Sequence, residues 1–265
     1  MKQLALVGLL ALTAVPALAE TQDDVLAAEL MPGWQMGNGH YMAGLTLTLA
    51  PHWKTYWRAP GEAGIPPQFD WSGSQNVGSV ALHWPSPQVI VLNGMQSIGY
   101  LDELMLPVEV TPVDPAKPVS LHLQMQLGIC KDICMPASLS LSANLAASGA
   151  EDGQIAAALK LGPVSAKAAE LQDIRCAVAP IADGLHITAL IAIPPQGNPE
   201  TVVFEVADRT VWVAEATASR DGGVLQAATD LVAQAGAPFA LDRSGVTVTV
   251  IGQDHSVEIK GCPAS

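Results

Sequence analysis

Charge is what this sequence has least of. Of its 265 residues only 14% are Asp, Glu, Lys or Arg, and cations are the rarer sign, 12 against 25 acidic residues. The formal net charge is −13. A surface so poor in cations cannot neutralise phosphates, which excludes nucleic acid and anionic lipid as natural partners. Long apolar runs are also missing beyond the first nineteen residues. The longest candidate, residues 185–195, is broken by His186 and Thr188 and ends in two prolines. It falls short of the roughly eighteen apolar residues that cross a bilayer. Catalytic signatures are absent as well. There is no G-x-S-x-G, H-E-x-x-H, phosphate-binding loop or dinucleotide fingerprint. Six histidines are scattered with no nucleophile partner, which leaves hydrolysis without support.

What is present begins with an export pattern. Lys2 forms a short positive region, residues 4–15 an apolar run, and Pro16-Ala17-Leu18-Ala19 an A-x-A cleavage site before Glu20. This predicts a signal peptide over residues 1–19, too short in its apolar part to remain as an anchor. An exported, soluble mature protein is expected. In a Gram-negative cell its compartment is the periplasm, where dedicated catalysts keep thiols oxidised.

Period-two alternation predicts half-buried antiparallel strands. Residues 41–50 alternate through Leu45, Leu47 and Leu49. Residues 119–129 do so through Leu121, Leu123, Met125 and Leu127, with Ser120, His122, Gln124 and Gln126 on the other face. Residues 137–145 repeat the pattern with Leu139, Leu141, Ala143 and Leu145. Turn clusters rich in Gly and Pro separate such runs, as at residues 59–61, 64–67 and 111–118. From Ala146 the texture becomes alanine-rich, and residues 151–161 and 165–171 read as one or two short helices. Strands resume at residues 185–193, 201–206, 211–218, 246–251 and 256–259. The expected fold class is all-β, two immunoglobulin-like β-sandwich domains joined by a short helical linker. The expected boundaries are 20–147 for the first domain, 148–171 for the linker and 172–265 for the second.

Four cysteines, an even count in an exported chain, read first as disulfides. Cys176 opens the second β-region and Cys262 nearly closes it. A bond between them closes a loop of 87 residues and constrains the unfolded chain by about 4.6 kcal/mol, a structural staple. Cys130 and Cys134 close a ring of five residues, worth only about 2 kcal/mol by the same relation. They sit at the turn between two strands that pair anyway. As a staple the bond is nearly redundant, and strained or exposed disulfides are the labile kind. Spacing alone leaves three readings open: an inert disulfide, a redox pair, or a soft-metal clip with Met135.

The charges of Lys131 and Asp132 cancel, and the flanks are strands rather than a helix N-terminus. A thiol there is expected near its free pKa of about 8.5. That fits a selective relay activated by a docked partner better than a general oxidoreductase. Met31, Met36, His40 and Met42 offer donors for Cu(I). No second C-x-x-C or H-x-x-H completes a zinc site, and the methionines are read as apolar filler. Neither cofactor nor metal is expected. Residues 52–58 (HWKTYWR) mix aromatics with cations, but the overall charge opposes a nucleic-acid surface. They read as a strand and turn whose Trp and Tyr pack at the sandwich edge, with Phe69-Asp70-Trp71 beginning the next strand.

Three segments then act together: residues 52–76 (HWKTYWRAPGEAGIPPQFDWSGSQN), 99–110 (GYLDELMLPVEV) and 127–136 (LGICKDICMP). They resemble the amino-terminal periplasmic region of DsbD/ScsB-type thiol–disulfide interchange proteins, strongly over residues 28–145 and more loosely beyond. The resemblance implies an immunoglobulin-fold redox domain that takes electrons from a membrane-embedded DsbD/CcdA-like donor. It passes them to periplasmic thioredoxin-fold acceptor proteins, such as disulfide isomerases or cytochrome-maturation factors. It also implies that Cys130 and Cys134 are the redox pair and that residues 91–96 form a cap loop. There Leu92 or Met95 stands in for the aromatic shield of the DsbD branch, with Tyr100 a further neighbour. Only three residues separate the cysteines, fewer than in the DsbD branch and nearer to ScsB-like members. Family members continue into a membrane domain and a thioredoxin-like domain, whereas this sequence stops at Ser265, so a separate membrane protein is the expected donor. The expected function is a protein-disulfide reductase component. The alternatives are a non-redox immunoglobulin-like binding module with two structural disulfides and a copper-handling protein.

Overall fold

A computed structural model describes residues 20–92, 94–145, 149–233 and 239–264. The expected signal peptide lies outside them. The first half carries a short helix α1 (Gln22–Val25) and strands β1 (Leu26–Gln35), β2 (Tyr41–Leu49), β3 (Lys54–Tyr56), β4 (Gln68–Asp70) and β5 (Val77–Leu82). They are followed by β6 (Gln88–Leu92), β7 (Met95–Leu101), β8 (Glu103–Pro112), β9 (Val119–Cys130) and β10 (Cys134–Leu145). One sheet runs β1-β2-β8-β5 and the other β10-β9-β3-β7-β6, with β4 also on β9. Alternation decides which side faces in. Leu45 and Leu47 of β2 and Leu106 and Val108 of β8 share one core with Leu121, Leu123, Leu127 and Ile129 of β9 and with Trp53 and Trp57. Each such side chain contributes about 1.5–3 kcal/mol on burial. A one-residue slip would turn the whole set outward, so the register is firmly held.

Helix α2 (Gly153–Leu159) follows, capped by the Asp152 carboxylate, which accepts from the Gln154 and Ile155 N–H groups. Ile155 is fully buried and packs on Gly44 of β2, where a Cβ would come within 2.8 Å of its Cγ1. The second expected helical stretch, residues 165–171, does not form one. Val164–Ser165 is instead a two-residue strand, β11, parallel to Val257 and Glu258. The Ser165 hydroxyl accepts from the Ala168 N–H, and Glu170 adopts a positive φ of 57°, so the chain turns rather than coils.

The second half holds β12 (Asp173–Ile181), β13 (Gly184–Ala192), β14 (Thr201–Glu205), β15 (Val211–Val213), β16 (Thr217–Asp221), β17 (Val224–Ala233), β18 (Thr247–Ile251) and β19 (Ser256–Lys260). Its sheets run β11-β19-β18-β14 and β12-β13-β17-β15, with β16 also on β17. Between them lies a separate core of Ile187, Ala189, Ile191, Leu225, Val248, Val250 and Ile259. The fold is therefore all-β with paired sheets in each half. The run expected at residues 211–218 is interrupted. β15 and β16 lie along the same edge of β17, but residues 214–216 oppose only Thr229 and Asp230, an inserted residue of the bulge type.

The halves are joined by more than the chain. Val203 and Ile251 of the second half pack into the first core. Arg58 donates from Nε and Nη2 to the two carboxylate oxygens of Glu205 at 2.8 and 2.9 Å, and from Nη2 to Glu258 at 2.7 Å. Burial alone would pull the Arg58 pKa down, but the two carboxylates outweigh it and hold the guanidinium above its ordinary value.

Candidate functional site

β9 and β10 pair without a break from Val119↔Leu145 to Cys130↔Cys134. The ladder itself brings the two cysteines to facing positions, with Cα atoms 4.1 Å apart and the sulfurs bonded. Lys131, Asp132 and Ile133 make the turn, and the Lys131 N–H donates to the Ile133 carbonyl. The two ends of the bond differ in access: Cys130 is 1% exposed, whereas Cys134 is open to solvent.

Strand β3 is what covers Cys130. Lys54 and Thr55 pair with Cys130 and Ile129 on one side and with Leu101 and Tyr100 of β7 on the other. Alternation sends Trp53, Thr55 and Trp57 to the core face and leaves Lys54 and Tyr56 on the outer face with Cys130. The Tyr56 ring lies between two glycines. A Cβ at Gly128 would come within 3.0 Å of its Cε2, and one at Gly64 within 2.9 Å of its Cδ1. With no side chain at either place, the phenol reaches the disulfide. Its hydroxyl donates to Cys130 Sγ at 2.9 Å, with Cys134 Sγ and the Ala63 carbonyl each 3.5 Å away. Burial pushes the Tyr56 pKa up, so the hydroxyl keeps its proton and remains a donor.

Lys54 shares this face and is 8% exposed. Its Nζ donates to Ser97 Oγ at 2.8 Å and stands 5.6 Å from the Tyr56 ring centroid. Ser97 passes the bond on to the Ile90 carbonyl. Burial pulls the Lys54 pKa down. Among the described residues no carboxylate lies within ion-pair distance of it. Residues 57–67 complete the cover, with Ile65 against Gly128 and Arg58 fixed by the second half.

The expected neighbours lie elsewhere on the sheet. Leu92 and Met95 face each other at the closed end of the β6–β7 hairpin, and both are exposed. Leu101, level with Cys130 across Lys54, is six residues further along β7, about 20 Å of extended strand. Tyr100 is one residue from that level but points into the core. Its ring stacks on Trp84 at 6.3 Å, its hydroxyl donates to the Pro85 carbonyl, and burial raises its pKa well above the ordinary value. Cys176 and Cys262 are bonded with Cα atoms 5.5 Å apart, both sealed in the second core. In the methionine group, His40 Nδ1 is hydrogen-bonded to Glu109 at 2.7 Å, Thr46 donates to Met31 Sδ, and Met42 is buried.

Tyr56 and Lys54 join the site although the aromatic segment that holds them is expected only to pack at the sandwich edge. Trp53 and Trp57 do pack inward, but Tyr56, in the same aromatic segment, takes the opposite face. Its odd-numbered offset from both tryptophans, one residue from Trp57 and three from Trp53, is the signal: strand alternation separates Lys54 and Tyr56 from Trp53, Thr55 and Trp57.

Residues 23–146 match the family described as thiol:disulfide interchange protein DsbD, N-terminal. No curated protein sequence matches the chain. The fold is similar to that in the crystal structure of the N-terminal periplasmic domain of ScsB from Proteus mirabilis, at a TM-score of 0.68 and 22% identity. That likeness covers 94% of this chain and 97% of the other, so it takes in the second half as well as the first. The matched span, residues 23–146, holds the cysteine hairpin, so this part of the chain is similar to the amino-terminal domain of DsbD-type thiol:disulfide interchange proteins.

Proposed function

We propose that the protein relays electrons through Cys130 and Cys134 from a membrane-embedded dithiol donor to thioredoxin-fold acceptors in the periplasm. One similar protein of known structure is a periplasmic domain, and no helix among the described residues is long and apolar enough to cross a membrane. The observation that carries the reading is the asymmetry of the pair, one sulfur open at a hairpin tip and the other buried on a phenolic donor.

In the first half-cycle a donor thiolate attacks Cys134 Sγ and the Cys130–Cys134 bond breaks. Cys130 takes the electron pair as a thiolate, stabilised by the Tyr56 hydroxyl, since hydrogen bonds to charged acceptors are the stronger ones. The donor's second thiol then attacks the mixed disulfide, leaving the donor oxidised and both cysteines reduced. In the second half-cycle Cys134, as thiolate, attacks the acceptor's disulfide. Cys130 resolves that mixed disulfide, the original bond re-forms and the acceptor leaves as a dithiol. An apolar rim of Ile65, Leu101 and Ile133, all exposed, offers the surface for such a partner. Beside it a shallow cavity of about 120 Å³ is lined by Ile65, Pro66, Gln126 and Pro136.

Trapping in the native envelope tests the assignment. Cys130→Ser, with Cys134 free and exposed, is expected to accumulate mixed disulfides, whereas Cys134→Ser, with its remaining thiol buried, is not. Adducts from neither variant overturn the relay, and adducts from Cys134→Ser alone overturn the order of attack.

A further inference from the structure

Lys54 has no part in the exchange steps above, yet its environment is unusual. A buried ammonium is costly unless a countercharge or a full set of acceptors compensates it. Its partners here are one hydroxyl, Ser97 Oγ at 2.8 Å, and the face of the Tyr56 ring. It is the register partner of Cys130 on the same face of the sheet.

We propose that the missing countercharge is the Cys130 thiolate, and that Lys54 is a positioning residue that favours opening of the disulfide. The inference rests on the exchange reading for its use. When Cys130 takes the electron pair from the broken S–S bond, a negative charge appears on the sulfur held by the Tyr56 hydroxyl. That same phenol presents its ring to the ammonium, so Lys54 acts on the sulfur through Tyr56 and through a short stretch of low dielectric. No proton needs to move between them. A thiol held at lower pKa is the better leaving group, so the closed pair opens faster.

The other charges around the site are accounted for. Arg58 is committed to Glu205 and Glu258, the Glu62 carboxylate accepts from the Glu215 N–H, the Asp102 carboxylate, one residue beyond Leu101, accepts from the His52 N–H, and Lys131 and Asp132 are neighbours of opposite sign in the turn. β6 and β7 bring only Gln88, Ile90, Ser97, Gly99 and Leu101 to this part of the face.

The test is a thiolate titration by ultraviolet absorbance in a Cys134→Ser background, where Cys130 is the one free thiol once Cys176–Cys262 is closed. Lys54→Met and Lys54→Gln are expected to raise the Cys130 pKa by about one unit, roughly tenfold less thiolate at neutral pH. Lys54→Arg is expected to restore most of it. Unchanged midpoints in the Met and Gln variants overturn the proposal. A second measurement needs no substitution. Because coupling is reciprocal, the Lys54 amine pKa, followed by NMR in the otherwise native protein, is expected to rise when the Cys130–Cys134 pair is reduced, and no rise overturns the proposal equally. Both measurements use this protein alone. A protein that passes them while trapping no partner would refute the relay and leave the Lys54 assignment standing.

Discussion

The two disulfides of this molecule sit in opposite settings. Cys176–Cys262 joins positions 86 apart in sequence, at β12 and the last segment of the second half. Both residues are buried in its core, and the polar groups around them are committed. The Cys176 N–H donates to the Pro263 carbonyl, the Cys262 N–H to the Arg243 carbonyl, and Arg243 Nη1 donates to the Cys176 carbonyl. Cys130–Cys134 joins positions 4 apart, at the end of a ladder that backbone hydrogen bonds already hold. One of its residues faces solvent, and a side-chain hydroxyl points at the other. A bond the fold relies on is sealed where the chain would otherwise be open. A bond the fold does not rely on is left where a partner can reach it.

Removing each pair gives the largest expected contrast. Replacing Cys176 and Cys262 by alanine should cost about 4–5 kcal/mol, and replacing Cys130 and Cys134 about 2 kcal/mol or less. Urea denaturation reads both, and equal losses would break the comparison. Tyr56→Phe sharpens it on the kinetic side. A hydrogen bond to a charged acceptor is worth about 1.5–3 kcal/mol, so opening of Cys130–Cys134 by excess dithiol should slow by about ten- to a hundredfold. Stopped-flow alkylation would follow this, with the second disulfide closed throughout.

Arg58→Met probes whether the halves depend on each other. It leaves Glu205 and Glu258 without their cation at a partly exposed site, for a loss of about 1–2 kcal/mol. Separate unfolding of the two sandwiches by calorimetry is expected to become visible. The smallest effect is a pH slope. The Lys54 pKa is lowered in the folded state, so between that value and the ordinary lysine range the unfolded chain binds the extra proton. Stability should rise with pH across that window, and Lys54→Met should flatten the rise measured in denaturant titrations.

Much of the contrast could be read in the sequence. The apolar alternation of β2 and β9 is unbroken, and the spacing of the four cysteines already separates a long closure from a short one. What could not be read depends on distant pairing. That Lys54 and Tyr56 lie beside Cys130 follows from β3 pairing with the last residues of β9, more than seventy positions away, and no local pattern encodes that register. The Arg58 contacts with Glu205 and Glu258 span 147 and 200 positions. β17 carries a weak period because alanine and threonine occupy core positions: Ala227 and Thr229 are buried between Leu225 and Leu231, which flattens the hydrophobic alternation. β12 shows only Ile174 and Cys176 as fully buried, too few to mark a period.

The most direct test of the contrast is equilibration of the native protein across a series of dithiol redox buffers, with each cysteine's state read by mass after alkylation. The account predicts that Cys130–Cys134 opens near −200 mV while Cys176–Cys262 stays closed down to about −300 mV. If both pairs stay closed to about −300 mV, or open together as the protein unfolds, the account is wrong.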